Sequence, residues 1–306
     1  MASLYPLLLR PEFVERPWGA RDLAPIYSEH RCEKPVGEVW LTGDENRVAN
    51  GPLAGRTLGE LCREYGRALV GEAARETQRF PLLIKFLFPR EKLSVQVHPD
   101  DEGARRVGQP CGKTECWYVL QADPRAQVAL GLKPGVTREQ LERAIREVRA
   151  EELLNWVDIH AGEMIYVDAG TDHTIGPGSI LVETQQNSDT TYRLYDYGRP
   201  REIHVEQGLA ATKERTQAGK VRSDGTTLVA SACFRVEKFS LTEARCFEAA
   251  HSPQIFVALE GSGVAESAST NFDRGQALVI PAEVEQVRIR PNLSLEALRM
   301  TLPSRS

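Results

Sequence analysis

Four side chains able to ligate a divalent metal fall in three short stretches. The first, KLSVQVHPDD (Lys92 to Asp101), alternates polar and apolar residues. That is the period of a β-strand, so Ser94, Gln96 and His98 share one face and Val95 and Val97 the other. The second, GEMIYVDAGTDHTIGPG (Gly162 to Gly178), reads as a strand, a glycine turn at Asp168-Ala169-Gly170, and a second strand opened by His173. Between them Glu115, seventeen residues beyond His98, opens the aromatic run ECWYVLQA. Two imidazoles, a carboxylate and an amide oxygen make an N/O set that suits Zn2+, and also Fe2+ or Mn2+. Three or four protein ligands leave a position for water or substrate, as catalysis requires. A single strand histidine is usually structural. The coincidence of a polar strand face, a histidine fixed by a glycine turn and a carboxylate on an aromatic strand points instead to a metal inside a barrel. His30, His160, His204 and His251 have no comparable setting and are read as structural.

Such a site needs strands to hold it. Short runs rich in Val, Ile, Leu and Tyr recur between Gly, Pro and Asp: EVWL, LLIKFLF, LSVQVH, ECWYVLQA, QVALGL, EMIYVDA, SILVETQQ and TYRLYDY. Many short strands with turn signals between them indicate a β-sandwich or barrel. Two helical segments interrupt them, over about residues 57–70 and 137–157. Both open with capping-box spacing, Thr57 with Glu60 and Thr137 with Gln140. Residues 211–226 are polar and read as a surface connector. Beyond it the strand pattern resumes in CFRVEKFSL, QIFVALEGSGVA, QALVIPA and EQVRIR.

The spacing from Gly162 through Asp168 and Gly170 to His173 resembles the second signature of the cupin superfamily, with Asp168 where that signature has proline. The expected fold is therefore mainly β: a cupin-type barrel (jelly roll) with a small helical portion. GQALVIPAEVEQV repeats the spacing, with Gly275 and Pro281 in place, Glu283 at the glycine position and Gln286 at the histidine position. Residues 1–226 are expected to form the metal-binding domain, and residues 227–306 a smaller, metal-free cupin-like β domain.

Bulk composition narrows the function. The 306 residues carry a net charge of -5, which argues against a broad nucleic-acid surface but allows a local basic cluster for a small anion. Six cysteines without C-x-x-C spacing do not suggest a disulfide scaffold. Cys111 and Cys116 are read as packing residues. The start of the chain, MASLYPLLLRPEF, lacks the basic segment and apolar length of a signal or membrane helix. A cytoplasmic protein with reduced thiols is expected. Neither a P-loop nor a G-x-G-x-x-G unit is present, so neither ATP nor NAD is implied.

FPLLIKFL, EKLSVQVHPDD, GKTECWYVL, DAGTDHTIGPG and QQNSDTTYRLYDYGR together resemble the type I, cupin-fold mannose-6-phosphate isomerases in their shorter bacterial form, over about residues 11 to 210. The resemblance implies a zinc-dependent interconversion of mannose 6-phosphate and fructose 6-phosphate. It places Gln96, His98, Glu115 and His173 on the zinc-ligand positions, Arg193 on a catalytic arginine and Lys113 on an active-site lysine. It places Lys85 and Glu183 on further pocket positions and Ser94 on a phosphate contact. Aldose–ketose isomerisation removes a proton beside a carbonyl and passes through an enediol(ate), whose charge a metal or cation stabilises. Arg193 stays protonated and is no base; Glu183 and Lys113 both remain candidates. Two readings compete. The histidines and carboxylate also fit a non-haem iron oxygenase, and a sugar-phosphate-binding cupin without turnover would keep the pocket.

Overall fold

The run LLIKFL is apolar at nearly every position, which is how a strand buried on both faces reads. In the computed structural model, which describes residues 3–303, Leu82–Leu87 is buried along its whole length. It lies inside a seven-stranded antiparallel sheet, next to Val36–Trp40 on one side and Ser179–Gln186 on the other. Glu115–Ala122 and Met164–Val167 follow, and Glu12–Ala20 and Gly219–Val221 form the edges. This sheet is the middle of three layers. A five-stranded sheet built of Tyr192–Tyr195, Val95–Val97, His173–Ile175, Gln127–Leu132 and Leu154–Asp158 covers its inner face. An eight-stranded sheet, mostly from residues beyond 226, covers the outer face.

Strand alternation sorts the side chains of the middle sheet. Ile84, Phe86, Cys116, Tyr118 and Val182 point to the outer core, where they meet Ile255, Val257 and Leu298. Leu87, Trp117, Val119 and Leu181 point inward and join Ile165, Val167 and Ile175. Lys85, Glu115 and Glu183 share this inward set by the two-residue period. On the five-stranded sheet Val95 and Val97 face outward, under Leu141, Ile145 and Leu194. The valine face is therefore the packed one, and Ser94, Gln96 and His98 turn into the barrel, as the sequence predicts.

The first helical segment spans the expected residues with a break, and the second is shorter than expected. Thr57 caps Leu58–Tyr65 through a full capping box, but Gly66, at φ 52°, stops it before the short Arg67–Val70 turn. Thr137 likewise caps a helix that covers only Arg138–Arg146. Val148 then adopts φ 61°, and LNWVD forms a strand paired with Gln127–Leu132. The extension of that helix to residue 157 is corrected: the Trp156–Val157 stretch alternates and finds an edge to pair with, which outweighs helical periodicity. The polar 211–226 segment also contains a strand, Gly219–Val221, which pairs with Met164–Val167. Two further short helices, Asp101–Arg106 and Val205–Ala211, lie outside the two helical segments that the sequence predicts. The chain start contributes to the outer sheet, where Leu7 and Leu8 pair with Val279 and Leu278.

Candidate metal centre and active-site cavity

Register brings the four predicted ligands together. His173 pairs directly with Gln96, which also pairs with Arg193. Across the barrel, Glu115 pairs with Gln185, two residues after Glu183. His98, Glu115 and His173 place one ligand atom each within 4.8 Å of one another, and all three are buried. His173 Nε2 is 3.3 Å from Glu115 Oε1, and His98 Nε2 is 3.6 Å from Glu115 Oε2.

The hydrogen bonds behind these groups aim them. His98 Nδ1 donates to the carbonyl of Thr190 at 3.0 Å, and His173 Nδ1 to that of Thr171 at 2.8 Å. With Nδ1 protonated in both rings, each Nε2 turns a lone pair toward the cluster, the arrangement that metal-ligating histidines use. Burial, then the Lys113 charge, holds the His98 pKa well below the ordinary imidazole value, and burial brings His173 to about 4. Both rings are thus neutral and able to ligate at physiological pH. Both Glu115 oxygens are buried without a hydrogen-bond partner, although Lys113 Nζ lies 3.1 Å from Oε2. Burial raises the Glu115 pKa despite that lysine. A buried carboxylate with unmet acceptors beside two imidazole lone pairs fits a divalent cation, and the donor set suits zinc. Gln96 departs from the expectation in one respect. Its Nε2 sits 3.2 Å from His173 Nε2, while its Oε1 accepts from Ser94 Oγ at 3.2 Å. A ligand role for Gln96 needs a half-turn of this amide.

The cluster backs onto a cavity of about 490 Å³ whose lining includes Lys85, Ser94, Gln96, Lys113, Glu115, Glu183 and Arg193. Lys85 and Glu183 pair across adjacent strands, with Nζ 3.1 Å from Oε2. At that distance, and an effective dielectric of about 20, the attraction is about 5 kcal/mol, comparable to the several kcal/mol it costs to bury an ion. Further partners tip the balance toward ionisation. Glu38 lies 3.9 Å from Lys85, and Trp117 Nε1 donates to Glu183 Oε1 at 3.2 Å. Burial alone would push the Glu183 carboxyl up and Lys85 down. The two lysines, Lys85 foremost, hold Glu183 below the usual carboxylate range, and Glu183 and Glu38 hold Lys85 above the usual lysine range. Lys113 Nζ is 3.1 Å from His98 Nε2. Arg193 lines the cavity apart from the metal cluster. Its Nη1 donates to the carbonyl of Glu202 at 2.9 Å, and its buried Nε has no partner.

Sequence reasoning missed Glu38, which lines the same cavity and receives a bidentate contact from Arg16 at 3.0 and 3.2 Å and the indole N–H of Trp40 at 2.7 Å. Its signal was present: a lone acid on the strand face shared by Val36 and Trp40 has to be buried and partnered. Arg201, also on the cavity wall, carried no such signal.

The family model for the catalytic domain of type I phosphomannose isomerases matches residues 7–141. Mannose-6-phosphate isomerase ManA of Bacillus subtilis (strain 168) is 35% identical over 297 residues, covering 90% of this chain and 93% of that protein. The crystal structure of a mannose 6-phosphate isomerase from Bacillus subtilis superposes with a TM-score of 0.84 at 32% identity, over 96% of this chain and 99% of that one. A zinc-bound mannose 6-phosphate isomerase shares the fold at a TM-score of 0.78 and 18% identity, over 98% of this chain and 100% of that one. Identity of this extent, across nearly the whole chain and on the same cupin-type barrel, means that the chain belongs to the type I phosphomannose isomerases.

Proposed function

We propose that this protein interconverts mannose 6-phosphate and fructose 6-phosphate, with one Zn2+ per chain held by His98, Glu115 and His173 and completed by Gln96. The observation that carries this reading is the convergence of two oriented imidazole lone pairs and the buried Glu115 carboxylate on the wall of a cavity that also holds a buried Lys85–Glu183 ion pair. When bound, the metal supplies Lewis-acid polarisation of substrate oxygens at the reacting carbons.

The chain's own residues supply the rest. Glu183, ionised throughout the neutral range, is a standing proton acceptor for the carbon-bound hydrogen. Its low proton affinity makes it a weak base, so enediolate stabilisation has to carry most of the barrier reduction. Lys85 is kept protonated by Glu183 and Glu38; it orients Glu183 and contributes positive charge to the cavity. Lys113, beside His98 and Glu115, is a second candidate for moving a proton to or from a substrate oxygen. Arg193 and Ser94 are assigned to the phosphate, with the guanidinium able to take up a dianion in bidentate fashion. Trp117 and its apolar neighbours exclude water from this wall.

The iron-oxygenase reading loses support from the lysines and arginines on the cavity wall, which suit a sugar phosphate better than an apolar substrate. We take residues 227–306 as a smaller, metal-free cupin-like unit, a reading supported by the apolar filling of its sheet. A cytoplasmic location is part of the same proposal; no described helix is long and apolar enough to cross a membrane. The test is chelation of the purified protein, assay with mannose 6-phosphate in a coupled isomerase assay, and re-addition of Zn2+. Activity lost on chelation and restored by Zn2+ without dioxygen supports the proposal; undiminished activity after complete metal removal overturns it.

A further inference from the structure

The turn that aims His173 is itself tied down from outside the barrel by residues 212–217, which follow the Val205–Ala211 helix. Three attachments join the two segments. Thr212 Oγ1 donates to Asp172 Oδ1 at 2.9 Å, with both residues buried. Lys213 N donates to Gly170 O at 2.8 Å. Gln217 N donates to the Asp168 carboxylate at 3.0 and 3.2 Å. The contact is close: Gly170 sits at φ 93°, and a Cβ there would come within 2.6 Å of the Lys213 side chain. The positive φ favours glycine at this position.

From Asp168 the connection runs inward. Thr171 Oγ1 donates to Asp168 Oδ1 at 3.0 Å, and Thr171 N to Asp168 O at 3.2 Å. The Thr171 carbonyl then receives the His173 Nδ1 proton. One residue thus separates the Asp168 carboxylate from the imidazole it helps to aim. The same turn reaches the second imidazole residue, because Gly170 N donates to His98 O at 2.8 Å. A proline at this position, as in the cupin signature, would restrict the backbone but accept neither the Thr171 hydroxyl nor the Gln217 N–H.

We propose that Asp168 is a positioning residue for the metal centre: by tying residues 212–217 to the turn, its carboxylate sets the aim of His173 and hence how tightly the ion is held. The proposal rests on the reading of His173 as a metal ligand. Groups that orient metal-bound histidines change affinity by about 10- to 100-fold when removed, and that is the effect expected here.

The experiment measures Zn2+ affinity of the full-length apoprotein by competition with a chromophoric chelator, together with the visible spectrum of the Co2+-substituted protein. Asp168→Ala should weaken Zn2+ binding by about 10- to 100-fold and shift the Co2+ bands. Asp168→Asn, which keeps an acceptor oxygen, should stay within about threefold of the native protein. Gln217→Pro removes the exposed N–H donor while also fixing φ at that position, and should give a smaller loss in the same direction, which keeps the test available if Asp168→Ala does not fold. Native Zn2+ affinity in Asp168→Ala, or an equal loss in Asp168→Asn, overturns the proposal. His173→Ala separates it from the reading beneath: native affinity in that variant removes the metal assignment itself. Loss there with native affinity in Asp168→Ala removes only the positioning role.

Discussion

Two β interiors in this molecule are filled in opposite ways. Inside the outer, eight-stranded sheet, Phe239, Phe247, Phe256, Phe272, Leu278 and Ile289 pack against one another, and the charges that reach them, Arg245 and Arg299, lie over the faces of Phe239 and Phe247. Inside the barrel of the five- and seven-stranded sheets, Trp117, Val119 and Leu181 pack beside buried Lys85, Glu115, Glu183, His98 and His173. The position that matches His173 by sequence spacing is also reversed. Gln286 is exposed and donates to Glu248 on the neighbouring strand at 2.7 Å. Apolar filling serves stability. Buried ions cost desolvation, and here they are kept in register by strand pairing so that they can act on a ligand. The contrast predicts that substitutions in the barrel remove activity even in the folded protein, and that substitutions in the outer interior cost stability while the folded fraction keeps its activity.

The largest expected effect is at Glu183. Glu183→Gln keeps the shape but removes the proton acceptor and leaves Lys85 without its nearest carboxylate, so kcat should fall by about 10²- to 10⁴-fold while Zn2+ content is retained. Steady-state kinetics with metal analysis checks this, and a variant at near-native kcat breaks the functional side of the comparison. Next, Phe256→Ala in the outer interior should cost about 3–5 kcal/mol of stability, read by denaturant unfolding, with kcat of the folded fraction within about twofold of native. A large fall in kcat at unchanged stability would dissolve the distinction between the two interiors.

The smallest effect is a pH dependence confined to the barrel. His98 and His173 bind protons less readily folded than unfolded, where the imidazole pKa is about 6.5. Their contribution to stability is therefore present above about pH 6.5 and is lost as pH falls toward the folded His173 value of about 4. Glu183, held low, adds a loss in the same direction at more acid pH. Glu115 and Asp172, held above the usual carboxylate range by burial, act in the opposite sense over that interval, so the histidine share is read as a difference: on acidification the melting temperature of the metal-free protein should fall further than that of a His98→Gln, His173→Gln double variant. An equal drop in both would place the acid sensitivity elsewhere.

Much of this was legible in the sequence, for identifiable reasons. A two-residue period in SVQVH assigns faces without any structure, and the polar face did turn inward. A glycine turn before His173 gives its direction locally. The helix predicted to residue 157 shows the limit: RAIREVRAEELLNWV keeps an approximate helical stripe, yet Trp156 and Val157 belong to a strand because an unpaired neighbouring edge was available. Whether a residue pairs in a sheet is decided by distant segments, which local periodicity does not contain. Asp168 was visible only as a departure from a motif; its partner Gln217 lies 49 residues away in a segment read as connector. The chain start pairing with Leu278 and Val279 was hidden for the same reason.

The central claim is that His98, Glu115 and His173 hold the ion on which turnover depends. Its most direct test is metal analysis and coupled isomerase assay on the same preparations of native protein and His173→Ala. About one Zn2+ per chain with activity in the native protein is predicted, together with loss of both in the variant and an unfolding transition close to that of the metal-free native protein. A His173→Ala protein that keeps its metal and its rate would contradict the account.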